Sequence, residues 1–84
     1  MPEKFYTYAL YSESHDKIYI GYSTDPGKRL NSHNSQINRG WTSKYKPWKL
    51  VYKEEFESKK NAMLGEKHLK TAKGRKFIRS LIKS

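Results

Sequence analysis

An α+β fold, a three-stranded antiparallel sheet flanked by helices in the order β-β-α-β-α-α, is what this 84-residue sequence predicts. Three observations lead there. Two alternating, aromatic-rich runs, Phe5–Tyr11 and Lys17–Tyr22, are separated by the polar stretch Ser12–Asp16, the pattern of an antiparallel hairpin. An Asp25-Pro26 pair then opens a segment with helical spacing. A third alternating run, Trp48–Phe56, precedes two stretches with apolar residues at helical intervals, Lys59–Ala72 and a closing stretch after Gly74.

In the first strand Phe5, Thr7, Ala9 and Tyr11 alternate with Tyr6, Tyr8 and Leu10. In the second, Ile18, Ile20 and Tyr22 share a face that reads as core, while Tyr19 and Gly21 lie on a face that reads as surface. Pairing of the two would bring Tyr6, Tyr8 and Tyr19 together where register permits. The Asp25 carboxylate can accept free backbone N–H groups, and Pro26 loses nothing at the first helical position. Within that helix Arg29 and His33 lie four apart on one face, and Leu30 and Ile37 seven apart on another. The helix fades between Gln36 and Arg39 and stops at Gly40.

Asn38–Pro47, NRGWTSKYKP, reads as a basic, aromatic surface loop carrying Arg39, Trp41, Lys44, Tyr45 and Lys46. It either follows a phosphate backbone or is a solvated crossover whose Trp41 covers the core. In the third strand Trp48, Leu50 and Tyr52 oppose Lys49, Val51 and Lys53. Ser58 suits a helix cap. Ala62 and Leu69 lie seven apart, which puts Glu66 on the apolar stripe or at its edge. A carboxylate there must be ion-paired, hydrogen-bonded or bound to a cation, because an uncompensated buried charge is costly. After Gly74, Phe77, Ile78, Leu81 and Ile82 recur on one side of a short closing helix.

Composition narrows the function. The chain has the length of one domain spanning 1–84, which buries only roughly 60–65% of its unfolded surface. With no cysteine it has no disulfide framework and no thiolate chemistry, so a cytoplasmic location is the expectation. No apolar run is long enough for a bilayer, and the first dozen residues lack the pattern of a signal peptide. Eighteen Lys and Arg against eight Asp and Glu give a net charge of +10, a field that attracts polyanions. Nucleic acid is the expected partner, since phosphate neutralisation releases counterions and 14% aromatic residues supply rings for stacking.

The motifs present exclude several chemistries. No GxxxxGK[ST] loop is found, so no nucleotide cofactor is expected. His15, His33 and His68 are scattered, unlike a zinc site, and neither a Ser–His–Asp nor a Cys–His arrangement has a supporting signature. What remains is one strategic acid, tyrosines, one Arg and one His beside a basic surface. That inventory suits metal-assisted phosphodiester cleavage, in which one carboxylate holds a Mg²⁺ that keeps most of its waters.

Tyr6-Thr7-Tyr8 followed by Tyr19-Ile20-Gly21, with Arg29, His33 and Glu66 downstream, resembles the GIY-YIG nuclease domain, especially its compact single-domain bacterial members. The likeness runs from about Phe5 to Ile82. Tyr8 matches the tyrosine ending the first triplet, Tyr19 the one opening the second, Arg29 and His33 the basic pair of the first helix, and Glu66 the metal-binding acid. The first triplet departs from Gly-Ile-Tyr at its first two residues, and no Asn follows Asn61 to match the late Asn of some members.

The resemblance implies hydrolysis of DNA phosphodiesters with Mg²⁺ or Mn²⁺ at Glu66, with Arg29 on the phosphate oxygens. Tyr8 is the leading general base, with Tyr19 or His33 positioning the water or sharing the role. Gly21, Lys28, Arg39, Trp41, Lys44 and Lys46 are the expected DNA contacts, Gly21 permitting close backbone approach or simply relieving a bend. Tyr8 and Tyr19 as an ordinary cross-strand pair, and Arg29 paired structurally with Glu66, are the plain alternatives. With no appended recognition domain, the expected substrate is branched, nicked or otherwise distorted DNA, chosen by structure rather than sequence, with a protein partner supplying specificity. A catalytically inactive nucleic-acid-binding module of the same fold is the alternative.

Overall fold

The computed structural model describes residues 4–34 and 44–83. It contains β1 (Phe5–Ser12), β2 (Lys17–Ser23), α1 (Pro26–Asn34), β3 (Lys49–Phe56), α2 (Lys59–Leu69) and α3 (Ala72–Lys83). The sheet order is β2-β1-β3, with both pairings antiparallel. This is the expected α+β arrangement. The expected stop of α1 at Gly40, and the site candidates Arg39 and Trp41, lie outside the described residues.

β1 is the middle strand, so it is covered on both faces. Thr7, Tyr8, Ala9 and Leu10 are all fully buried. Strand alternation sends them to two different cores. Ala9 joins Ile18, Ile20 and Ile78, with Leu69 and Ile82 from α2 and α3 packed alongside. Tyr8 and Leu10 join Trp48 on the opposite face, with Tyr19 and Leu30 packed against them. The face of β2 that reads as surface from its sequence is therefore a second core. Gly21 is buried, because its cross-strand partner is Tyr8.

A β-bulge corrects the simple alternation of β3. Ala9 pairs with Tyr52 but Leu10 with Leu50, so Val51 is the extra residue. Val51 and Tyr52 both pack with the α3 core, while Leu50 packs with Tyr8 and Leu10. Period-two reasoning places Leu50 and Tyr52 on one face, and the bulge separates them.

The helices are placed by a few local devices. Asp25 caps α1: its Oδ1 accepts from Lys28 N at 3.0 Å and its carbonyl from Arg29 N at 3.1 Å. Ser58 caps α2 by accepting from Asn61 N at 3.1 Å. Thr7 Oγ1 then donates to the Ala62 carbonyl at 2.6 Å in the interior, fixing α2 to the central strand. A Cβ on Gly65 would lie 2.7 Å from Thr7 Oγ1 and 2.9 Å from Phe56 Cζ, so the helix approaches the sheet closely enough to require glycine there.

The α2–α3 junction falls earlier than the spacing predicts. Thr71, not Gly74, marks the break: its Oγ1 accepts from Gly74 N at 3.1 Å and donates to the His68 carbonyl at 2.7 Å. Gly74 sits inside the first turn of α3, where a Cβ would strike the backbone of His68 and Leu69. At the other end of the molecule Asp16, at φ 52°, accepts from Tyr11 Oη at 3.1 Å and Arg79 Nη1 at 2.8 Å, tying the hairpin turn to α3. No described helix is long and apolar enough to cross a membrane.

Candidate active site

The β1–β2 register creates the centre of the site. Tyr8 faces Gly21 and Leu10 faces Tyr19, so the two tyrosines are diagonal neighbours on one face, with ring centroids 6.2 Å apart. The missing side chain of Gly21 gives them room: a Cβ would lie 2.9 Å from Tyr8 Oη and 3.1 Å from Tyr19 Cε1. The space above Gly21, read from sequence as an approach for DNA backbone, is thus filled by the two rings.

α1 runs over this face. Its cap at Asp25 sets the phase that lets Arg29 and His33 project together, one turn apart. The His33 ring meets Tyr19 at 4.5 Å between centroids, and Tyr19 continues to Trp48 at 6.4 Å. Asn34 locks the end of the helix to the start of β3: its Nδ2 donates to the Trp48 carbonyl at 2.9 Å and its Oδ1 accepts from Trp48 N at 2.6 Å. Sequence reasoning missed Asn34. Its partner lies fourteen residues away, and no helical or strand spacing marks it.

The electrostatics assign different characters to the groups. Burial pushes the Tyr8 phenol above its ordinary range, and the Arg29 guanidinium works against that shift without cancelling it. The Tyr8 hydroxyl is buried and among the described residues has no hydrogen-bond partner of normal geometry, yet Arg29 and Tyr19 stand close enough to act on its charge. Arg29 in turn is held in its charged form by Tyr8. Burial, then the neighbouring Arg29 charge, holds the His33 imidazole below its usual range and so neutral at pH 7. The cluster therefore offers a fixed cation, a neutral base and a phenol that keeps its proton.

The other candidates are placed differently. Tyr6 has other partners: its hydroxyl donates to Glu55 Oε1 at 3.3 Å, and Lys53 Nζ lies 5.4 Å from its ring centre. Lys28 and Lys44 are exposed and Lys46 is half-buried. Glu66 is half-buried on α2, its Oε1 accepting from Lys70 Nζ at 3.3 Å. α2 packs on the sheet face presented by Thr7, and among the described residues no hydrogen bond, ion pair or ring contact joins Glu66 to Tyr8, Tyr19, Arg29 or His33. The ion pair of Glu66 is with Lys70 rather than Arg29.

Among the described residues no three His, Cys, Asp or Glu side chains cluster as metal ligands. The donor chemistry fits a Mg²⁺-like ion all the same. Such ions take one or two carboxylates and keep several waters, and the second oxygen of the half-buried Glu66 has no partner among the described residues.

Comparison with known proteins is consistent across sequence and structure. Residues 4–78 match the family profile described as the GIY-YIG catalytic domain. The chain is 43% identical over 74 residues to a UPF0213 protein of Streptococcus pneumoniae, covering 87% of this chain and 73% of that one. It is 36% identical over 70 residues to a UPF0213 protein of Limosilactobacillus reuteri, covering 81% and 72%. In three dimensions it is similar to the solution structure of a UPF0213 protein from Bacillus halodurans, with a TM-score of 0.54, 28% identity and coverage of 93% and 84%. The designation UPF0213 states no activity.

Proposed function

This chain belongs to the GIY-YIG family, and from that membership we propose that it is a divalent-metal-dependent endonuclease that hydrolyses DNA phosphodiester bonds and selects its substrate by structure rather than sequence. The observation that carries the reading is the meeting of Tyr8, Tyr19, Arg29 and His33 on one sheet face, their characters already set apart by burial and by one fixed charge.

Arg29 binds the non-bridging phosphate oxygens, where a planar fork of donors suits the charge that builds as the phosphorus is attacked. His33 takes the proton of the attacking water, because a neutral imidazole near pH 7 can accept one and the raised Tyr8 phenol cannot. Tyr8 keeps its proton and donates a hydrogen bond, orienting the water or the phosphate. Tyr19 holds the His33 ring through their tilted ring contact. The new bond is between water oxygen and phosphorus, and the bond to the 3′ oxygen breaks. Glu66 would hold the Mg²⁺ or Mn²⁺, which when bound neutralises phosphate charge and stabilises the departing oxygen. Lys28, Lys44 and Lys46 extend the basic surface for the DNA backbone.

The deciding experiment is a metal-dependent cleavage panel of labelled duplex, nicked, forked and flapped DNA beside Glu66→Ala. Cutting of distorted substrates by the wild type, lost on Glu66→Ala while gel-shift binding persists, supports the reading. A wild type that binds these DNAs in a salt-sensitive way and cuts none of them with either metal is instead a nucleic-acid-binding module of the same fold.

A further inference from the structure

The helix that carries Arg29 and His33 is nine residues long and is anchored separately at its two ends. At its start Asp25 accepts from Lys28 N and Arg29 N, so the cap governs the turn that carries Arg29. At its end the Asn34 carboxamide donates to the Trp48 carbonyl at 2.9 Å and accepts from the Trp48 amide at 2.6 Å. A carboxamide supplies donor and acceptor side by side, and a side chain that engages both backbone groups of one residue is held against rotation as well as translation. His33 directly precedes this clamp and is 7% exposed. The clamp closes a ring of contacts: Asn34 holds Trp48, the Trp48 indole meets Tyr19 at 6.4 Å between centroids, and Tyr19 meets the His33 imidazole at 4.5 Å.

We propose that Asn34 is a positioning residue of the candidate site: its clamp on Trp48 fixes the last turn of α1 and so holds the His33 imidazole where it accepts the proton of the attacking water. The proposal rests on the DNA-cleaving reading above, and Asn34 acts through His33 rather than on the substrate. The two ends of α1 then serve two tasks, phosphate binding at the Arg29 end and proton acceptance at the His33 end. Burial and the Arg29 charge act together on the imidazole. Around it β2 presents Tyr19, β1 presents Tyr8 beside Tyr19, and the start of β3 presents the uncharged Trp48. Of these influences burial is the one that depends on the end of the helix staying down, because Arg29 sits one turn back under its own cap. Loss of the clamp lets water reach the imidazole and returns it toward its ordinary range.

The test compares the full chain with Asn34→Ala, with Asn34→Ser, which is too short to answer both backbone groups, and with Ser58→Ala. The last removes the cap of α2 and controls for a general loss of stability. Imidazole titrations are followed by NMR between about pH 5 and 8, with His68 on α2 as the reference in the Asn34 variants. In Asn34→Ala the His33 midpoint should rise by about 0.5 pH unit or more, with His68 unmoved, and in Ser58→Ala His33 should stay where it is in the wild type. Asn34→Ser should move His33 in the same direction, and it carries the test if the alanine variant does not fold. In the nicking assay the acid limb of the rate profile should move up by the same interval, with gel-shift affinity changed less than about twofold because the Arg29 end keeps its cap. An unmoved His33 midpoint in a folded but destabilised Asn34 variant overturns the positioning role, and so does an equal shift in Ser58→Ala. The two readings fail separately, since the titration needs no cleavage. A wild type that cuts no DNA sinks the hydrolase while a shifted midpoint keeps the hold of Asn34 on His33, and cleavage with an unmoved midpoint and acid limb does the reverse.

Discussion

Gly21→Ala tests how the tyrosine pair is assembled. No described glycine has a positive φ, so the backbone at 21 accepts alanine without strain. By itself the change would stabilise by about 0.4–1 kcal/mol through the unfolded chain. Packing opposes it. The new methyl would lie 2.9 Å from Tyr8 Oη, 3.1 Å from Tyr8 Cζ and 3.1 Å from Tyr19 Cε1. Tyr8 is fully buried in the centre of the sheet, so its rigid ring cannot swing away as a flexible side chain would. Overpacking of this kind costs about 1–3 kcal/mol, and a mid-range cost of about 2 less a mid-range backbone gain of about 0.7 leaves a net loss of about 1.3 kcal/mol. For a domain of this size that is a Tm lower by roughly 5–10 °C.

Urea unfolding of the wild type, Gly21→Ala, Tyr8→Leu and the double variant reads the effect as a cycle. Leucine keeps apolar volume at position 8 but does not reach the Oη and Cζ positions, so in that background Gly21→Ala should become neutral or stabilising. The reasoning is refuted if Gly21→Ala is as stable as the wild type, or if its cost persists undiminished beside Tyr8→Leu.

Four further outcomes are expected. His33 is held below its ordinary pKa in the folded chain, so the unfolded chain binds the extra proton first; stability is complete above about pH 6.5 and declines as pH falls through the lowered folded value, and His33→Gln should flatten that acid limb in urea midpoints measured between pH 5 and 7.5. Arg29→Lys, which keeps the charge but loses the planar fork, should lower nicking about 10²-fold with a much smaller change in gel-shift affinity. Asn34→Ala strands the Trp48 amide and carbonyl, and should lower stability by about 1–3 kcal/mol in denaturant unfolding. Mg²⁺ or Mn²⁺ should raise the Tm of the wild type in a titratable way and leave that of Glu66→Gln unmoved, with EDTA reversing the rise.

Local chemistry was readable where it acts over a few residues. The capping of α1 by Asp25 and of α2 by Ser58, the hairpin between Tyr11 and Lys17, and the one-turn spacing of Arg29 and His33 all depend on neighbours within about six positions, and the structure has them. Long-range partners escaped the same reading. The bulge at Val51 and the clamp between Asn34 and Trp48 follow from which strand or helix lies opposite, which spacing does not encode. Glu66 is instructive on both counts. Its place at the edge of the apolar stripe was legible, and it is half-buried, but its ion pair with Lys70 was one of several open partners.

By itself the sequence determined an ordered set of strands and helices, a strongly basic chain, and a short inventory of groups able to act on a phosphodiester, because periodicity, caps and composition are local properties. Only the tertiary structure decided that β1 lies between β2 and β3, and that Gly21 is vacant because Tyr8 crosses it. It also decided the protonation of the site: burial raises Tyr8 against the opposing pull of Arg29, and burial together with the Arg29 charge lowers His33, an environment that exists only when distant segments pack and exclude water.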